Sequence, residues 1–412
     1  MDKPRAFGQR RGSRCWILVL EQAEVPKKIM PTHRTIETDV CVVGSGIMGL
    51  SVAWNLAKRN IGVTCIEKSF PGSEASGATA GTLGIQNKIL RAVPLVLPSV
   101  RIWETLSEEL GFDVDYEKRG GFCVAHTGEE VEKLERRASS QRAAGADVEL
   151  IYQPQLCKRA PYLSREIAAA SFCPDDGMAD PFAAVRAYLR ACKSAGVAFE
   201  TNQKVEGVEV YEDSTIRIRA GQLTLRCQKA VLAAGAWMPA LVRPFGIEIP
   251  VATRTQQVLI TDFGPSLFPH IVTHVRGNLT IKQQRITGKV LIGGGWTGDG
   301  NRDLGVKNVR LDSVTGNVEM AIRTVPKLRK TRLLRAWTGF EGRSPDRLPI
   351  MGPVGRLENI YMLGCASGGF TLAPVCGLLI AQCIAGEDPL VTWEDFTVER
   401  FLEKGAEASG RE

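Results

Sequence analysis

A glycine-rich turn and the acidic residue that follows it carry the clearest chemistry in the sequence. The turn consists of Gly44, Ser45, Gly46, Ile47, Met48 and Gly49. Its first glycine permits a tight bend, its second lets the backbone approach a pyrophosphate, and its third lets a helix pack closely on a strand. Glu67, followed by Lys68, stands where such units place a carboxylate that accepts hydrogen bonds from ribose hydroxyls. The pattern predicts a dinucleotide site.

The elements around this turn are those that a dinucleotide site requires. Residues 39–68 are predicted to form a strand, the turn, a helix and a second strand that ends at Glu67. Leu50, Ala53 and Ala57 repeat at helical spacing, and Asn60 is suited to end the helix. Because strand, helix and acid agree, we prefer this interpretation to a glycine turn in an unrelated α/β unit.

Residues 72–88 form a second segment of interest, since they are rich in Gly, Ala, Ser and Thr and contain few large apolar residues. Small side chains let main-chain amides approach a flat ligand, and the hydroxyls of Ser76 and Thr79 can donate to phosphate or ring atoms. We therefore predict a loop that lines the ligand, in preference to a flexible linker.

In two later segments, a predicted strand is followed directly by a turn of small residues. A strand predicted at 230–233 runs into a turn at 234–237, and residues 358–363 run into a glycine-rich turn and a helix predicted to begin near Thr371, with Pro374 in its first turn. A helix start offers amides suited to the anion that forms when a flavin is reduced. Several later segments are thus predicted to contact the dinucleotide. This favours FAD bound in an extended groove over a nicotinamide cofactor.

Length and charge define the broad class of the protein. The 412 residues are enough for roughly two to three domains. Of the net charge of +7, residues 1–36 contribute +5, and we expect them to be a disordered or mis-called N-terminal extension, with a transit peptide as the alternative. The rest carries no basic stripe interleaved with aromatics, so nothing in it suggests nucleic-acid binding. The apolar stretch 371–386 is shorter than the ~18 residues of a membrane span, so we expect a buried helix.

Cysteine and histidine usage gives no metal site. The eleven cysteines occur singly, without a C-x-x-C pair, which favours reduced thiols in a cytoplasmic protein and predicts neither a zinc nor an iron–sulfur site. His270 and His274 are four residues apart in a strand-like segment. Two histidines make an incomplete metal site, and we interpret them as a structural pair.

Together these segments resemble the D-amino-acid oxidase family, including its glycine and sarcosine oxidases and its octopine oxidase and D-hydroxyproline dehydrogenase subunits. The resemblance runs from residue 37 to about 402. It is carried, in family order, by the glycine turn with Glu67, the SGATAGTL loop, PDDGMADP, AVLAAGAW, RAWTGFEGRSPDRLPIMGP and GCASGGFTLAP.

The resemblance implies an α/β plus antiparallel-β fold, in which a Rossmann-like, glutathione-reductase-like FAD-binding domain is interleaved with an antiparallel-sheet substrate domain. It assigns 37–90, 151–245 and 335–412 to the first domain, and 91–150 and 246–334 to the second. Strand-like runs at 256–261, 278–284 and 289–296 would form a sheet that roofs the flavin.

The resemblance also assigns residues to the cofactor. Val205, at the start of a predicted strand, would contact the adenine through its backbone. The remaining residues that would line pyrophosphate and flavin are Ser76, Thr79, Ala80, Gly81, Ala234, Gly235, Trp237, Gly364, Ser367, Gly368, Gly369, Phe370 and Thr371.

The sequence departs from the family where the substrate carboxylate should be held. Glycine oxidase and D-amino-acid oxidase carry an arginine there, whereas this chain has Glu341, which would repel a carboxylate unless a cation intervened. Arg343 lies on the same strand face, and Lys88, Lys282 and Arg254 are further candidates for that cation. Alternatively, Glu341 pairs with a cationic substrate group, or only with a nearby arginine.

Two smaller expectations complete the site. No cysteine occurs between Trp337 and Arg343, where sarcosine oxidases tether flavin, so we expect non-covalent FAD. Lys282 would match a lysine that helps oxidases activate oxygen, or else it is a solvent-facing strand residue. We therefore take Glu341, Arg343 and Lys282 as candidate catalytic residues.

The expected reaction is oxidation of the C–N bond of an amino acid or N-substituted amino acid of the D-amino acid, sarcosine, hydroxyproline or opine type. Hydride transfer to flavin N5 would give an imine that water hydrolyses. The alternatives are an FAD-dependent dehydrogenase of 2-hydroxy acids or polyol phosphates, and a flavin-bearing subunit whose partner carries the electron relay.

Overall fold

The computed structural model describes residues 33–86 and 88–402, so the expectations for residues 1–32 lie outside it. Its helices are α1 Ile47–Ala57, α2 Ala75–Ala78, α3 Val93–Leu110, α4 Gly128–Ala143, α5 Gln155–Arg159, α6 Pro181–Ser194, α7 Met238–Val242, α8 Leu311–Thr324 and α9 Gly369–Ala385. Its strands are β1 Arg34–Val43, β2 Val63–Ile66, β3 Thr82–Leu83, β4 Glu117–Lys118, β5 Gly121–Ala125, β6 Glu149–Tyr152, β7 Ala169–Cys173, β8 Gly177–Met178, β9 Ala198–Glu200, β10 Gly207–Val210, β11 Ile216–Ala220, β12 Leu223–Leu232, β13 Ala252–Thr261, β14 Ile271–His274, β15 Thr280–Gln283, β16 Val290–Gly293, β17 Asp299–Asn301, β18 Val306–Asn308, β19 Leu333–Arg343, β20 Ile350–Val354 and β21 Leu357–Gly364.

The first sheet carries the strand–turn–helix unit of the glycine turn. Its strand order is β10-β11-β12-β1-β2-β9, and β21 pairs with the second half of β12 and with β20. The ladders among β9, β2, β1, β12 and β21 are parallel. Because parallel strands end at the same edge, the turns that follow β1, β2, β12 and β21 all meet there.

Strand β1 buries side chains on both of its faces. Val40 and Val42 lie in the core that contains α1, α3 and α9, whereas Cys41 and Val43 lie in the core formed with β11 and α7. Helix α9 is buried over most of its length, as predicted for residues 371–386. Within residues 33–86 and 88–402, no helix is both long and apolar enough to span a membrane.

The second sheet forms the roof over the edge where those turns meet. Its order is β19-β13-β16-β15-β14-β5-β7-β6, and its ladders are antiparallel except for that between β14 and β5. The strands predicted from the patterns at 256–261, 278–284 and 289–296 appear here as β13, β15 and β16. The fold is therefore the predicted combination of a Rossmann-like sheet with an antiparallel sheet.

The assignment of segments to the two sheets differs from the prediction at three elements. Strands β7 and β19 lie in segments predicted for the FAD-binding domain, but both pair within the roof sheet. Helix α3 lies in a segment predicted for the substrate domain, but it packs on α9. These placements depend on pairing between distant segments, which local patterns do not show.

Three element boundaries also differ from the prediction. Strand β1 begins at Arg34, inside the predicted N-terminal extension, because Arg34 pairs with Leu223 of β12. Val205 precedes strand β10, whose ladder begins at Gly207. Helix α9 begins at Gly369 rather than near Thr371, so Pro374 lies beyond its first turn.

Replacement of Gly49 by alanine should destabilise the protein. A Cβ atom at Gly49 would overlap the Gly44 carbonyl oxygen, so α1 must move away from β1. Overpacking of this kind costs about 1–3 kcal/mol in the free energy of unfolding, measurable as a lower urea midpoint. Gly128→Ala is the matched control, because a Cβ there meets no atom within 4 Å. Equal midpoints for the two variants would contradict the packing argument.

Candidate active site

A long cleft follows the edge where the turns of the first sheet meet. Backbone and small side chains from several segments form its walls. The lining residues fall within 43–48, 66–68, 72–79, 203–205, 233–241, 340–342 and 363–370. Each segment that was predicted to return to the cofactor therefore reaches this one cleft.

The glycine turn forms part of the cleft wall. Gly44 has φ of 102°, and a Cβ there would lie 2.6 Å from the Ala233 carbonyl oxygen, so only glycine fits. The absence of a side chain at Gly49 then lets α1 start directly against β1. The amides of the first turn of α1 have no acceptor within the helix, which makes this end of α1 suited to a pyrophosphate.

Glu67 fixes the glycine turn and also faces the cleft. Its Oε2 accepts the Ser45 amide at 2.8 Å, and its Oε1 accepts the Ser69 amide at 3.0 Å. The carboxylate is 7% exposed and lines the cleft beside Lys204 and Val205. Each carboxylate oxygen keeps a second acceptor position, which is what binding of a ribose diol requires.

The small-residue loop, residues 72–88, packs against the start of α1. Hydrogen bonds to the Asp176 side chain also hold it in place. Ser76 Oγ accepts the Ile47 amide at 2.9 Å. The buried Asp176 carboxylate accepts the Ile85 amide at 2.6 Å and the Gln86 side-chain amide at 3.0 Å. Burial raises the pKa of Asp176 to about 6. These bonds give the loop a defined conformation, contrary to the linker alternative.

Not every predicted loop residue reaches the cleft. Ser76 and Thr79 line it, whereas Ala80 lines a separate small cavity on the other side of the loop. Gly81 lies behind the loop, where its amide donates to Thr79 Oγ1 at 3.3 Å. The assignment of Ala80 and Gly81 to the cofactor stays a prediction.

Lys68 and Trp237 together close one wall of the cleft. The Lys68 ammonium lies 3.2 Å from the centre of the Trp237 ring and donates to Glu74 Oε1 at 2.8 Å. Ala234 and Gly235, which precede Trp237 in the chain, also line the cleft. The wall therefore combines a cation with an aromatic face, which suits a phosphate-bearing ligand.

The start of α9 forms another part of the cleft wall. Gly368 has φ of 70°, a conformation that closes the glycine turn and lets the helix begin at the next residue. Gly364, Gly369 and Phe370 line the cleft, whereas Thr371 is fully buried and donates to the Thr82 carbonyl at 3.2 Å. A second helix N-terminus therefore faces the cleft.

Glu341 and Arg343 lie beside this second helix start. Glu341 lines the cleft, and Arg343 Nη2 donates to Ser367 Oγ at 2.9 Å. In the β13–β19 ladder, Arg254 stands directly opposite Glu341. Lys88 approaches from the loop side, because a Cβ at Gly368 would overlap its ammonium nitrogen.

The charges around Glu341 perturb one another. Burial raises the pKa of Glu341, and Arg343, Arg254 and Lys88 oppose that rise. Burial also lowers the pKa of Lys88 to about 8. Desolvation and the neighbouring Arg343 lower the pKa of Arg347, a residue that sequence reasoning missed. Basic groups thus surround Glu341, and one of them, Lys88, also faces the buried Asp176 carboxylate.

Lys282 is buried, at 3% exposed, which overturns the solvent-facing alternative. Its ammonium donates to the carbonyls of Gly81 and Ala179, each at 3.2 Å, and burial lowers its pKa to about 8. These bonds fix the underside of the small-residue loop. A role for Lys282 in oxygen chemistry stays a prediction.

The two histidines predicted as a structural pair have separate partners. His270 Nδ1 lies 2.7 Å from the Tyr162 hydroxyl, whereas His274 lies 3.3 Å from Glu130. His126, Glu130 and His274 form a group with the composition of a metal site. Glu130 Oε1 already accepts from Arg276 at 2.6 Å, and that guanidinium would oppose a cation there.

The cleft fits FAD on the observations above. Its walls include a glycine cradle with a helix start, a carboxylate suited to a ribose, and a second helix start. A pyrophosphate-bridged cofactor with a ring that becomes anionic on reduction matches both helix starts. Fold and site therefore define a flavin-dependent oxidoreductase with a roofed cofactor cleft.

The comparisons with known proteins place the chain more narrowly. It belongs to the DAO family of FAD dependent oxidoreductases, whose family model matches residues 39–383. A subunit of the opine oxidase of Rhizobium meliloti is 27% identical over 389 residues, which cover 90% of this chain and 100% of the relative. The crystal structure of glycine oxidase from Geobacillus kaustophilus is 26% identical, with a TM-score of 0.82, and covers 88% of this chain and 98% of that one. The crystal structure of L-proline dehydrogenase from P. horikoshii is 27% identical, with a TM-score of 0.78, and covers 90% and 99%.

Replacement of Glu67 by alanine should weaken FAD binding. The change removes the acceptor of the Ser45 amide and the carboxylate beside the ribose position, and a hydrogen bond to a charged group is worth about 1.5–3 kcal/mol. The dissociation constant should therefore rise about 10- to 100-fold, as measured by FAD titration of the deflavinated protein. Glu206→Ala, at an exposed neighbouring position, is the control. Equal affinity in both variants would exclude Glu67 from the cofactor site.

Proposed function

We propose that the protein oxidises the C–N bond of an amino acid or N-substituted amino acid. The observation that carries this proposal is the position of Glu341, which lines the cofactor cleft, and of Arg343, which follows it by two residues on β19 and lies close enough to lower its pKa. One offers an acceptor for an amine and the other a donor for a carboxylate. A substrate that bears both groups satisfies both side chains.

The proposed roles follow from charge and position. Arg343 binds the substrate α-carboxylate, with its guanidinium oriented by Ser367 Oγ. Glu341 accepts a hydrogen bond from the amine and takes its proton, because burial gives this carboxylate a raised pKa. The amine is then neutral, and its lone pair can form the C=N bond.

When bound, FAD supplies the two-electron acceptor that takes the hydride from the α-carbon. The amides at the start of α9, held by the left-handed turn at Gly368, stabilise negative charge in that part of the cleft. Water then hydrolyses the imine to an oxo acid and an amine. No cysteine stands between Trp337 and Arg343, so we propose that the cofactor is bound without a covalent bond.

Electrons must leave the site to oxygen, a quinone or a partner protein. We propose that additional subunits carry any relay, since the cysteines of the described residues are free and mostly buried rather than grouped as cluster ligands. The opine oxidase relative is itself one subunit of a larger enzyme by its name, which supports this. Free thiols also favour a cytoplasmic location.

The direct test is anaerobic mixing of the yellow, purified protein with D-amino acids, sarcosine, glycine, hydroxyproline isomers and opines. Loss of flavin absorbance near ~450 nm with one class of amine is the expected result. Admission of air then distinguishes an oxidase from a dehydrogenase. Bleaching by a 2-hydroxy acid or a polyol phosphate but by no amine would overturn the proposal.

The pH dependence of flavin reduction tests the role of Glu341. The carboxylate must be ionised to take the amine proton, so kcat/KM should fall as the pH drops through its raised pKa. Glu341→Gln should remove this acidic limb and lower kcat/KM about 100-fold or more. Glu358→Gln, at an exposed position, should leave the profile unchanged. An acidic limb that persists in Glu341→Gln would assign the proton to another group.

A further inference from the structure

A short hairpin reaches from the roof sheet to the loops of the nucleotide-binding sheet. It consists of β17 and β18, residues 299–308, which form a two-stranded sheet of their own, and we call this segment the strap. Its base is tied to β13, because the Gly298 amide donates to the Thr255 carbonyl at 3.0 Å and the Arg310 amide donates to Gln257 Oε1 at 2.9 Å. A two-stranded hairpin has little stability of its own. Its position therefore depends on the contacts that its outer part makes.

Lys307 connects the strap to the small-residue loop. Its ammonium donates to Glu74 Oε2 at 2.8 Å, and Lys68, which follows β2, donates to Oε1 of the same carboxylate at 2.8 Å. The side chains of Lys68, Glu74 and Lys307 are 30%, 23% and 27% exposed. The carboxylate thus joins the end of β2 to the roof through two partly shielded ion pairs. Pairs of this kind still weaken as salt is added.

The same two lysines lie against aromatic rings of the cleft wall. The Lys68 ammonium is 3.2 Å from the centre of the Trp237 ring, and the Lys307 ammonium is 5.3 Å from the centre of the Phe340 ring. The two rings meet edge to face with their centres 6.0 Å apart, and both line the cleft. A Cβ at Gly300 would lie 2.7 Å from the Phe340 ring. The strap therefore packs directly on a residue of the cleft wall.

Arg302 connects the strap to a second loop. Its Nη1 donates to the Ala236 carbonyl at 2.6 Å. Glu74 and Ala236 both line the cleft, but they belong to loops that follow different strands, β2 and β12. The other residues of the strap are exposed. Two polar contacts and the packing on Phe340 thus hold the strap across both loops.

We propose that the strap holds the cofactor cleft closed and must release the two loops before FAD enters or leaves. The contacts of Lys307 with Glu74 and of Arg302 with Ala236 join the roof to the loops, so their loss lets the roof part from them. The hairpin can open locally while its base stays on β13. Because the contacts are made within the chain, the strap opposes entry as well as release. This inference concerns cofactor exchange and is independent of the substrate.

The rates of FAD exchange in Lys307→Met test the proposal. Methionine keeps a long apolar side chain against Phe340 but removes the charge that binds Glu74. FAD should both leave the holoenzyme and enter the deflavinated protein about three- to tenfold faster, because the open form is more populated. Flavin fluorescence follows both rates. Lys330→Met, at an exposed position, is the matched control and should exchange FAD as the wild type does.

Salt provides a second measurement on the same proteins. Raising the salt concentration from about 0.1 M to about 1 M should accelerate both rates in the wild type, because it screens the ion pairs of Glu74. Lys307→Met has lost one of these pairs and should respond less. An equal response in the two proteins would show that the Lys307 pair does not limit exchange.

Trypsin reports the opening of the strap directly. Its cleavage after Arg302 requires that this side chain leave the Ala236 carbonyl, so the rate follows the population of the open form. The fragment cut after Arg302, identified by its mass, should appear faster from Lys307→Met than from the wild type. Equal rates of cleavage would contradict an opening controlled by Lys307.

The direction of the two exchange rates separates a strap from a simple support of the wall. Faster release combined with slower uptake in Lys307→Met would mean that Lys307 only shapes the cleft, and would overturn the proposal, as would rates equal to those of Lys330→Met. Should Lys307→Met fail to fold, Arg302→Gln replaces it, since it removes the contact with the second loop. Faster exchange in both directions then supports the strap, and unchanged exchange overturns it.

Discussion

The site depends on the direct contact between the roof strand β19 and two loops of the nucleotide-binding sheet. A Cβ at Gly339 would overlap Ala78, and a Cβ at Gly342 would lie 2.8 Å from the Ala236 nitrogen. Trp337 adds a hydrogen bond from its indole nitrogen to the Ala78 carbonyl at 2.9 Å. Because Gly339 and Gly342 have no side chains, β19 can pack closely against both loops. This close packing places Glu341, which lies between the two glycines, at the cleft.

The cofactor half of the site was predictable because its signals are local. Residues 39–68 contain strand, turn, helix and acid in one continuous run, and the structure brings Gly44, Gly49 and Glu67 together as that pattern implies. The start of α9 was misplaced by two residues, since Gly368 adopts a left-handed conformation that the glycine-rich run does not specify. Local chemistry therefore indicated which segments meet, but not their end points.

The substrate half was less predictable because it is assembled by long-range pairing. Arg254 was one of several candidate cations, and only the β13–β19 register sets it opposite Glu341. Lys88 reaches the site through the space that Gly368 leaves, and Arg347 does so from a backbone position with positive φ. None of these placements has a periodic signal in the sequence. The same reason explains why β7 and β19 were assigned to the other sheet.

Desolvation explains why the charged groups beside the cleft have perturbed pKa values. Fully buried ion pairs require desolvation of both partners, and the penalty often exceeds their attraction. Here burial raises the pKa of Glu341 and lowers that of Lys88, so both groups show the cost of desolvation. A ligand whose charges oppose theirs removes that cost at the moment of binding.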